Sequence, residues 1–132
     1  MDLFDNTVGA LEKKLNLHFK RHTLLSGNAA NSETPLYKAR ELDFAGEVER
    51  ALYGKNRDVL EKTHPLHMNA SPASEAHVVI DHTGAVGADG NNVDLDINMG
   101  KLSGNASGYK SSIDLLTIKL QMLSAAARGR AY

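Results

Sequence analysis

The sequence predicts a mainly α-helical protein. Long N- and C-terminal helices should pair as a coiled-coil-like hairpin, with a short helix and an irregular, β-containing arm between them. Apolar residues recur at alternating spacings of three and four over 3–30 and again from Met99 onward, as they do along a coiled-coil seam. Between these segments the periodicity fails, and prolines and glycines accumulate.

Composition limits the number of domains and the kinds of partner. The 132 residues suffice for one modest domain, so we expect a single unit over 1–132. Aromatic residues make up 5% of the chain and Trp is absent, which predicts a thin hydrophobic core. The formal net charge of −1 gives no electrostatic reason to expect a nucleic-acid partner. The absence of Cys excludes disulfides and thiolate metal sites.

The N-terminal helix is predicted over 1–30. The residues of its apolar seam are Phe4, Val8, Leu11, Leu15 and Leu25. His18 and His22 take two further positions of this stripe, one turn apart, which is a spacing that could hold a metal. No third ligand follows nearby, so interfacial histidines are the better interpretation. The first residues lack a basic segment followed by an apolar run, so we expect no Sec-type signal peptide.

Residues 31–54 are predicted to form a turn followed by a short helix. Pro35 restricts its own φ, and the polar residues before it can bond local backbone, so the chain should reverse direction here. A short extended piece follows. Asp43 then caps a helix whose apolar face begins at Phe44.

Residues 55–92 are predicted to form a loop or arm. Only the A-H-V-V-I-D stretch over 76–81 has the composition of a strand. Four of the six histidines lie in this arm, namely His64, His67, His77 and His82. Their spacing matches no zinc-site pattern and no Cys assists them, so we expect neither a metal nor another cofactor.

The C-terminal helix is predicted over 93–132, with Asp94 or Asp96 at its N-cap. The residues of its apolar seam are Leu102, Ile113, Leu116, Leu120 and Leu123. Glycines recur at every fourth position, as Gly100, Gly104 and Gly108. Each interior Gly costs about 1 kcal/mol relative to Ala, so we expect this row to allow a neighbouring subunit to approach closely. The alternative is that the glycines mark a flexible helix start.

Catalytic chemistry finds no support in the sequence. The chain lacks G-x-S-x-G, H-E-x-x-H, a Walker loop and a G-x-G-x-x-G after a strand. The D-x-D at Asp94 and Asp96 resembles the start of a calcium loop, but the Gly and Glu that an EF-hand requires are missing. We therefore expect no enzyme, no catalytic residues and no metal ligands.

Two ordered sequence blocks stand out, one on either side of the arm. The first is L-S-G-N-A-A-N-S-E-T-P-L-Y-K over 25–38, continued by A-R-E-L-D-F. The second is D-G-N-N-V-D-L-D over 89–96, followed by Leu102, Asn105 and Tyr109. The first is similar to the N-x-A-N-x-x-T-P-G-Y signature of bacterial flagellar axial proteins. Together the blocks resemble the flagellar basal-body rod protein family, most closely its proximal rod members.

The resemblance implies that both blocks carry assembly residues. These residues are Asn28, Asn31, Thr34, Pro35, Tyr37, Asp43, Phe44, Asp89, Gly90, Asn91, Val93, Asp94, Asp96, Asn105 and Tyr109. One departure concerns the turn, because Leu36 stands where the family signature has Gly. A type II turn would need a positive φ, which Leu disfavours, so we expect a type I or open turn instead.

The resemblance also implies a function. It predicts a structural subunit of the proximal rod, part of the drive shaft that transmits motor torque across the periplasm. Such subunits self-assemble after type III export without a cleaved signal peptide. The implied partners are copies of itself, other rod proteins, the MS ring, a FliE-type adaptor and the export apparatus, with no nucleic acid or small-molecule substrate.

Two alternatives remain open from the sequence. One is another flagellar axial subunit of the rod or hook. The other is a soluble helical adaptor or export chaperone, which would form a stable dimer and would not need the first block. A metal-dependent enzyme using the six histidines ranks last.

Overall fold

The computed structural model describes residues 6–53 and 76–129. In chain order its elements are helix α1 (Asn6–Ala30), strand β1 (Arg40–Leu42), helix α2 (Phe44–Tyr53), strand β2 (Val78–Ile80) and helix α3 (Leu95–Ala127). The predicted fold class, with long terminal helices and a β-containing middle, is confirmed. Three residues singled out in the sequence lie outside the described ranges: Phe4, His64 and His67.

Helix α1 is the element on which the others pack. It contacts α3, α2 and β1. Its pairing with α3 is antiparallel, because Asn98 near the start of α3 bonds Leu25 late in α1, while Asn105 bonds His18 one heptad earlier. Among the helices described, none combines the length and apolarity that crossing a bilayer requires.

The two strands form a small antiparallel sheet. Glu41 of β1 lies opposite Val79 of β2, and the register continues through the flanking pairs. Backbone bonds extend the ladder at both ends, from Asp43 N to His77 O at 3.0 Å and from Asp81 N to Ala39 O at 2.8 Å. The strand predicted in A-H-V-V-I-D is therefore present, and it pairs with the extended piece that follows the turn.

Aspartates begin both later helices. Asp94 is the N-cap of α3, and its carboxylate accepts the Ile97 N–H at 3.0 Å. Asp43 precedes α2, where its side chain accepts the Gly46 N–H at 3.2 Å. These bonds pair backbone donors that the first turn of a helix leaves without a partner. The capping roles predicted for these two aspartates are confirmed.

The apolar core is thin and the buried polar residues are numerous. The buried apolar side chains in the described ranges are Leu17, Leu25, Ala39 and Leu42. The buried polar ones are His18, Asn28, Asn91, Asn92, Asn98, Asn105 and Ser112. Hydrogen bonds therefore determine much of how this chain folds on itself, because little apolar area is available inside it.

The α1–α3 contact differs from the predicted seam. Asn98, Asn105 and Ser112 are the buried residues of α3, spaced seven apart along the helix. In the predicted seam, Ile113 and Leu120 are 38% and 45% exposed. The remaining seam residues that the structure describes are half-buried or buried, namely Val8, Leu11, Leu15, Leu25, Leu102, Leu116 and Leu123. Apolar periodicity predicted that α1 and α3 pair, but it did not include the most buried positions of α3 because these are polar.

The turn at Leu36 also differs from the expectation. Leu36 has φ +62°, so the predicted type I or open turn, which avoided a positive φ, is wrong. The Tyr37 N–H donates to Thr34 O at 3.3 Å and closes a turn with Pro35 and Leu36 at its centre, where a type II turn requires a positive φ. The Leu36 N–H also donates to Asp89 O at 3.0 Å, and the side chain stays exposed. Gly90 lies opposite with φ +79°, and a Cβ on it would come within 2.8 Å of Leu36 Cδ2.

Replacing Leu36 by glycine should raise the free energy of unfolding by about 0.5–1 kcal/mol. A non-glycine residue in the left-handed region costs about 1–2 kcal/mol, and the entropy that Gly loses on folding offsets part of the gain. Urea denaturation followed by circular dichroism measures the change. Leu36→Ala is the matched control, since it truncates the same exposed side chain but keeps Cβ. Equal stability of the two variants would contradict strain at this position.

Candidate functional site

The first signature block folds around Asn28, whose side chain is 1% exposed. Its Oδ1 accepts the Arg40 N–H at 2.9 Å and the Tyr37 hydroxyl at 3.2 Å. Its Nδ2 donates to Arg40 O at 2.8 Å. One amide thus ties the last turn of α1 to the start of β1 and fixes the chain reversal between them.

Asn31 and Thr34 shape the turn itself. Asn31 Nδ2 donates back to Gly27 O at 2.8 Å, and the Thr34 hydroxyl donates to Asn31 Oδ1 at 3.1 Å. The Thr34 N–H also donates to Asn31 O at 3.0 Å. These local bonds end α1 and present Pro35 at the surface.

The second block binds the backbone of the first through Asn91, which is buried. Asn91 Nδ2 lies 2.9 Å from the carbonyl oxygens of Asn31, Ser32 and Thr34. Its Oδ1 accepts the Val93 N–H at 2.7 Å. Two amide hydrogens shared among three carbonyls join blocks that stand about sixty positions apart in the chain.

Neighbours of Asn91 extend the same junction. Asn92 Oδ1 accepts the Ala39 N–H at 2.7 Å, and its Nδ2 donates to Asp81 O at 2.6 Å. Lys38 Nζ donates to Gly90 O at 2.5 Å. Sequence reasoning did not single out Asn92, although it follows Asn91 directly. We call the cluster of Asn28, Asn31, Asn91 and Asn92 the asparagine junction.

A polar seam continues from the junction along α1 and α3. Asn98 Nδ2 donates to Leu25 O and Asn105 Nδ2 donates to His18 O, both at 2.9 Å. The two accepting carbonyls are seven residues apart, as are the two asparagines. Asn105 was predicted as an assembly residue, whereas Asn98 was missed. The heptad spacing of the two asparagines was the available signal.

The glycine row is divided between two environments. A Cβ built on Gly108 would lie 2.8 Å from His18 Cε1, so Gly108 is part of the α1–α3 seam. The expectation that it packs against a neighbouring subunit is therefore corrected, because the chain itself fills that space. A Cβ on Gly100 or Gly104 would meet nothing within 4 Å.

The remaining predicted assembly residues lie mostly at the surface. Phe44 is an exception, since its ring packs on His18 with centroids 4.5 Å apart, and Arg21 Cζ lies over the Phe44 ring, 5.6 Å from its centroid. Val93 and Tyr37 are half-buried in the junction. The exposed members of the set are Thr34, Pro35, Asp43, Asp89, Asp94, Asp96 and Tyr109.

A charged network connects the sheet to both long helices. Glu41 on β1 is bonded by Arg21 Nε of α1 at 2.8 Å and by Lys101 Nζ of α3 at 3.2 Å. Lys101 also bonds Asp81 Oδ2 at 2.5 Å. Burial by itself would raise the pKa of Glu41 and of Asp81, but their bonds and opposite charges outweigh it, so both pKa values lie below normal.

Acid should weaken the fold through this network. Because the pKa values of Glu41 and Asp81 are lowered by folding, the unfolded chain binds more protons and stability falls as the pH drops below their ordinary values of 4.5 and 3.8. Lys101→Met should lower the free energy of unfolding by about 1 kcal/mol at pH 7, with solvent screening taken into account. It should also reduce the loss of stability between pH 5 and pH 3. Thermal unfolding measured from pH 7 to pH 3 gives both effects. The control is Lys110→Met, at an exposed position of α3. An unchanged acid slope in the Lys101 variant would contradict the network's role.

The described residues provide no constellation for metal chemistry. Over 6–53 and 76–129, no group of three or more His, Asp or Glu side chains is placed to hold a metal ion. The amide side chains that converge bond mainly backbone groups of the same chain, and the charged side chains bond one another. These bonds can fix the relative positions of the helices and the sheet, and they leave the outer faces of the helices exposed.

Comparison with known proteins identifies the family. No protein-family model matches the chain. A flagellar basal body rod protein FlgB from Aquifex aeolicus is 32% identical over 131 residues, covering 99% of both chains. FlgB from Cereibacter sphaeroides is 31% identical over 127 residues, covering 96% of this chain and 97% of its own. FlgB from Escherichia coli K12 is 30% identical over 126 residues, covering 89% of each.

These relatives extend over nearly the whole chain, so the alignments include both signature blocks and both long helices. The likeness to proximal rod members that the sequence predicted is confirmed at the level of the family. The chain belongs to the FlgB family of flagellar basal body rod proteins and is a structural subunit of the proximal rod, not an enzyme.

Proposed function

We propose that this subunit transmits motor torque as part of the drive shaft across the periplasm, through packing of α3 against copies of itself and other rod proteins. The observation that carries the proposal is the distribution of exposed apolar side chains. Nine of the exposed large apolar residues belong to α3, namely Leu95, Ile97, Met99, Tyr109, Ile113, Leu115, Ile118, Leu120 and Met122. A helix that pairs with only one partner would expose far fewer.

At 3.6 residues per turn, these side chains fall on two flanks of α3 on either side of its contact with α1. The residues of flank A are Leu95, Met99, Tyr109, Ile113 and Leu120. The residues of flank B are Ile97, Leu115, Ile118 and Met122, and Gly100 and Gly104 lie in line with them. Exposed polar residues separate the flanks on the side away from α1, and they are Ser103, Lys110, Asp114 and Gln121.

Two apolar flanks suit a subunit that is surrounded by neighbours. Fully burying one such side chain is worth about 1.5–3 kcal/mol. Each flank can therefore drive association if its total burial outweighs the entropy that the subunits and their side chains lose on binding. Torque would then pass through many packed side chains, with no chemical step at any one site. Gly100 and Gly104 would let a neighbouring backbone approach on flank B.

We assign different roles to the predicted assembly residues. The buried asparagines would preserve the angle between the helices, so that the flanks face the neighbours correctly. The exposed Thr34, Pro35, Asp96 and Tyr109 would touch those neighbours directly. Under this division the signature blocks contribute to assembly mainly through the shape they impose on the subunit.

Export and location follow from the same proposal. The chain would leave the cytoplasm through the flagellar type III apparatus without a cleaved signal peptide and would join the rod close to the MS ring and a FliE-type adaptor. The thin core supports this route, since little apolar burial must be undone before the chain is threaded.

Mass spectrometry of purified basal bodies tests the proposed function. The wild-type bacterium and a strain whose chain carries an affinity tag serve as samples. We expect the chain in the rod fraction, with its encoded N-terminal region intact. A helical adaptor or export chaperone would instead remain in the soluble fraction as a dimer. Finding the chain only there would contradict the proposal.

A further inference from the structure

Leu36 is the most exposed large apolar side chain in the described part of the chain, at 76%. It is also the one non-glycine residue there with a positive φ, at +62°. The isolated chain therefore carries backbone strain at this position and leaves an apolar side chain in water, and glycine would avoid both. A residue that is unfavourable in the isolated chain on two counts points to a contact that the isolated chain does not make.

Leu36 stands at one end of the α1–α3 hairpin, which we call the turn end and define as residues 31–37 and 82–97. Its N–H donates to Asp89 O and so joins the two segments. The exposed acidic residues of the turn end are Glu33, Asp89, Asp94 and Asp96. The two segments contain no Lys or Arg, and the neighbouring Lys38 bonds Gly90 O. The turn end is therefore an apolar side chain surrounded by acidic groups.

The last turns of α3 form the opposite end of the hairpin. Because the helices run antiparallel from the bond between Asn98 and Leu25, Asn6 at the start of α1 lies opposite about Thr117. We call residues 118–129 the α3 tail, since they extend past the described part of α1. The exposed large apolar side chains of the tail are Ile118, Leu120 and Met122. The tail contains Lys119 and Arg128 but no Asp or Glu, so this end is apolar and basic.

We propose that the turn end of one copy binds the α3 tail of a second copy. Leu36 packs among the exposed apolar side chains of the tail, and the acidic groups around it face the basic ones. Opposite charges at the two ends of one chain favour this head-to-tail contact and disfavour contact between two like ends. Each contact leaves one turn end and one tail unoccupied, so the association can repeat. The inference rests on the packing between copies in the proposed function and names the surfaces that meet.

Sedimentation of the purified chain measures the contact. At low salt we expect the average mass to rise past that of a dimer as the concentration increases, and to return toward the monomer at high salt, which screens the charges. Leu36→Ala shortens the side chain but keeps the backbone strain, whereas Leu36→Gly removes both. Both variants should weaken the association about tenfold, because the buried apolar area is lost in each. Leu36→Gly would then fold more stably than the parent chain and still associate less.

Charge reversal shows which ends meet. A turn-end variant carries Glu33→Lys and Asp96→Lys, a tail variant carries Lys119→Glu and Arg128→Glu, and circular dichroism checks that both fold. Each should remain monomeric at a concentration where the parent chain associates, because its two ends no longer attract each other. An equimolar mixture contains one intact turn end and one intact tail, so it should form dimers and stop there. The control Lys110→Glu, at an exposed position between the two ends, should associate like the parent chain.

Four results would overturn the proposal. They are a parent chain that stays monomeric at low salt up to its solubility limit, a parent chain whose mass stops at the dimer, unchanged association of the Leu36 or charge-reversed variants, and a mixture of the two charge-reversed variants that forms no dimer. Association through the flanks of α3 alone would give the third result. Each result leaves membership of the rod untouched, because rod membership is tested on basal bodies.

Discussion

Replacing Asn28 by alanine should lower the free energy of unfolding by about 3 kcal/mol. Its buried amide makes three bonds, two with the Arg40 backbone and one with the Tyr37 hydroxyl. Each polar group left without a partner costs about 1–3 kcal/mol when buried, and partial access of water near the exposed Arg40 keeps the sum toward the lower end. Urea unfolding followed by circular dichroism gives the difference directly.

Two companion variants make this prediction specific. Tyr37→Phe removes one of the three bonds and should cost about 1 kcal/mol. Asn16→Ala removes an exposed amide from the same helix and should stay within about 0.5 kcal/mol of the parent chain. If Asn28→Ala lowered the free energy of unfolding no more than Asn16→Ala does, the asparagine junction would not stabilise the fold.

Replacing Ile113 by glutamate should abolish rod assembly while leaving the isolated subunit intact. Ile113 lies on flank A, outside the α1 contact, so the free chain should change in stability by no more than about 0.5 kcal/mol. Once a neighbour covers the flank, the carboxylate would be buried without a partner at a cost of several kcal/mol. Swimming assays and the yield of complete basal bodies measure the assembly defect.

The matched control lies on the polar side of the same helix. Ser103→Glu adds the same charge to α3 between the two flanks, where solvent remains. It should preserve swimming, whereas Ile113→Glu should not. Normal motility of the Ile113 variant would show that flank A is not an assembly surface, and unfolding of its isolated subunit would contradict the placement of Ile113 outside the α1 contact.

Local chemistry explains what could be predicted from the sequence. Asp94 and Asp43 cap helices through bonds that span three residues, so their roles are visible in the local sequence. Apolar spacing located both long helices. It did not find the centre of the α3 contact, because Asn98, Asn105 and Ser112 are buried there without any hydrophobic signal. Ile113 and Leu120 of the predicted stripe are exposed instead.

Other features depend on residues far apart in the chain. Leu36 takes the positive φ that a type II turn requires at this position, even though Leu disfavours it, and Asp89 from the second block accepts its N–H. His18 occupies the space that a side chain at position 108 would need, and Lys101 bonds both Glu41 and Asp81. Such pairings need the antiparallel register of α1 and α3, which sequence periodicity alone does not provide.

Electron microscopy of basal bodies tests the central claim most directly. The bacterium that carries this sequence would be compared with a strain lacking the chain, and with that strain after the gene is restored. Without the subunit we expect MS rings that carry no rod, and complete rods should return on restoration. Complete rods in the deletion strain would contradict a structural role for this protein in the proximal rod.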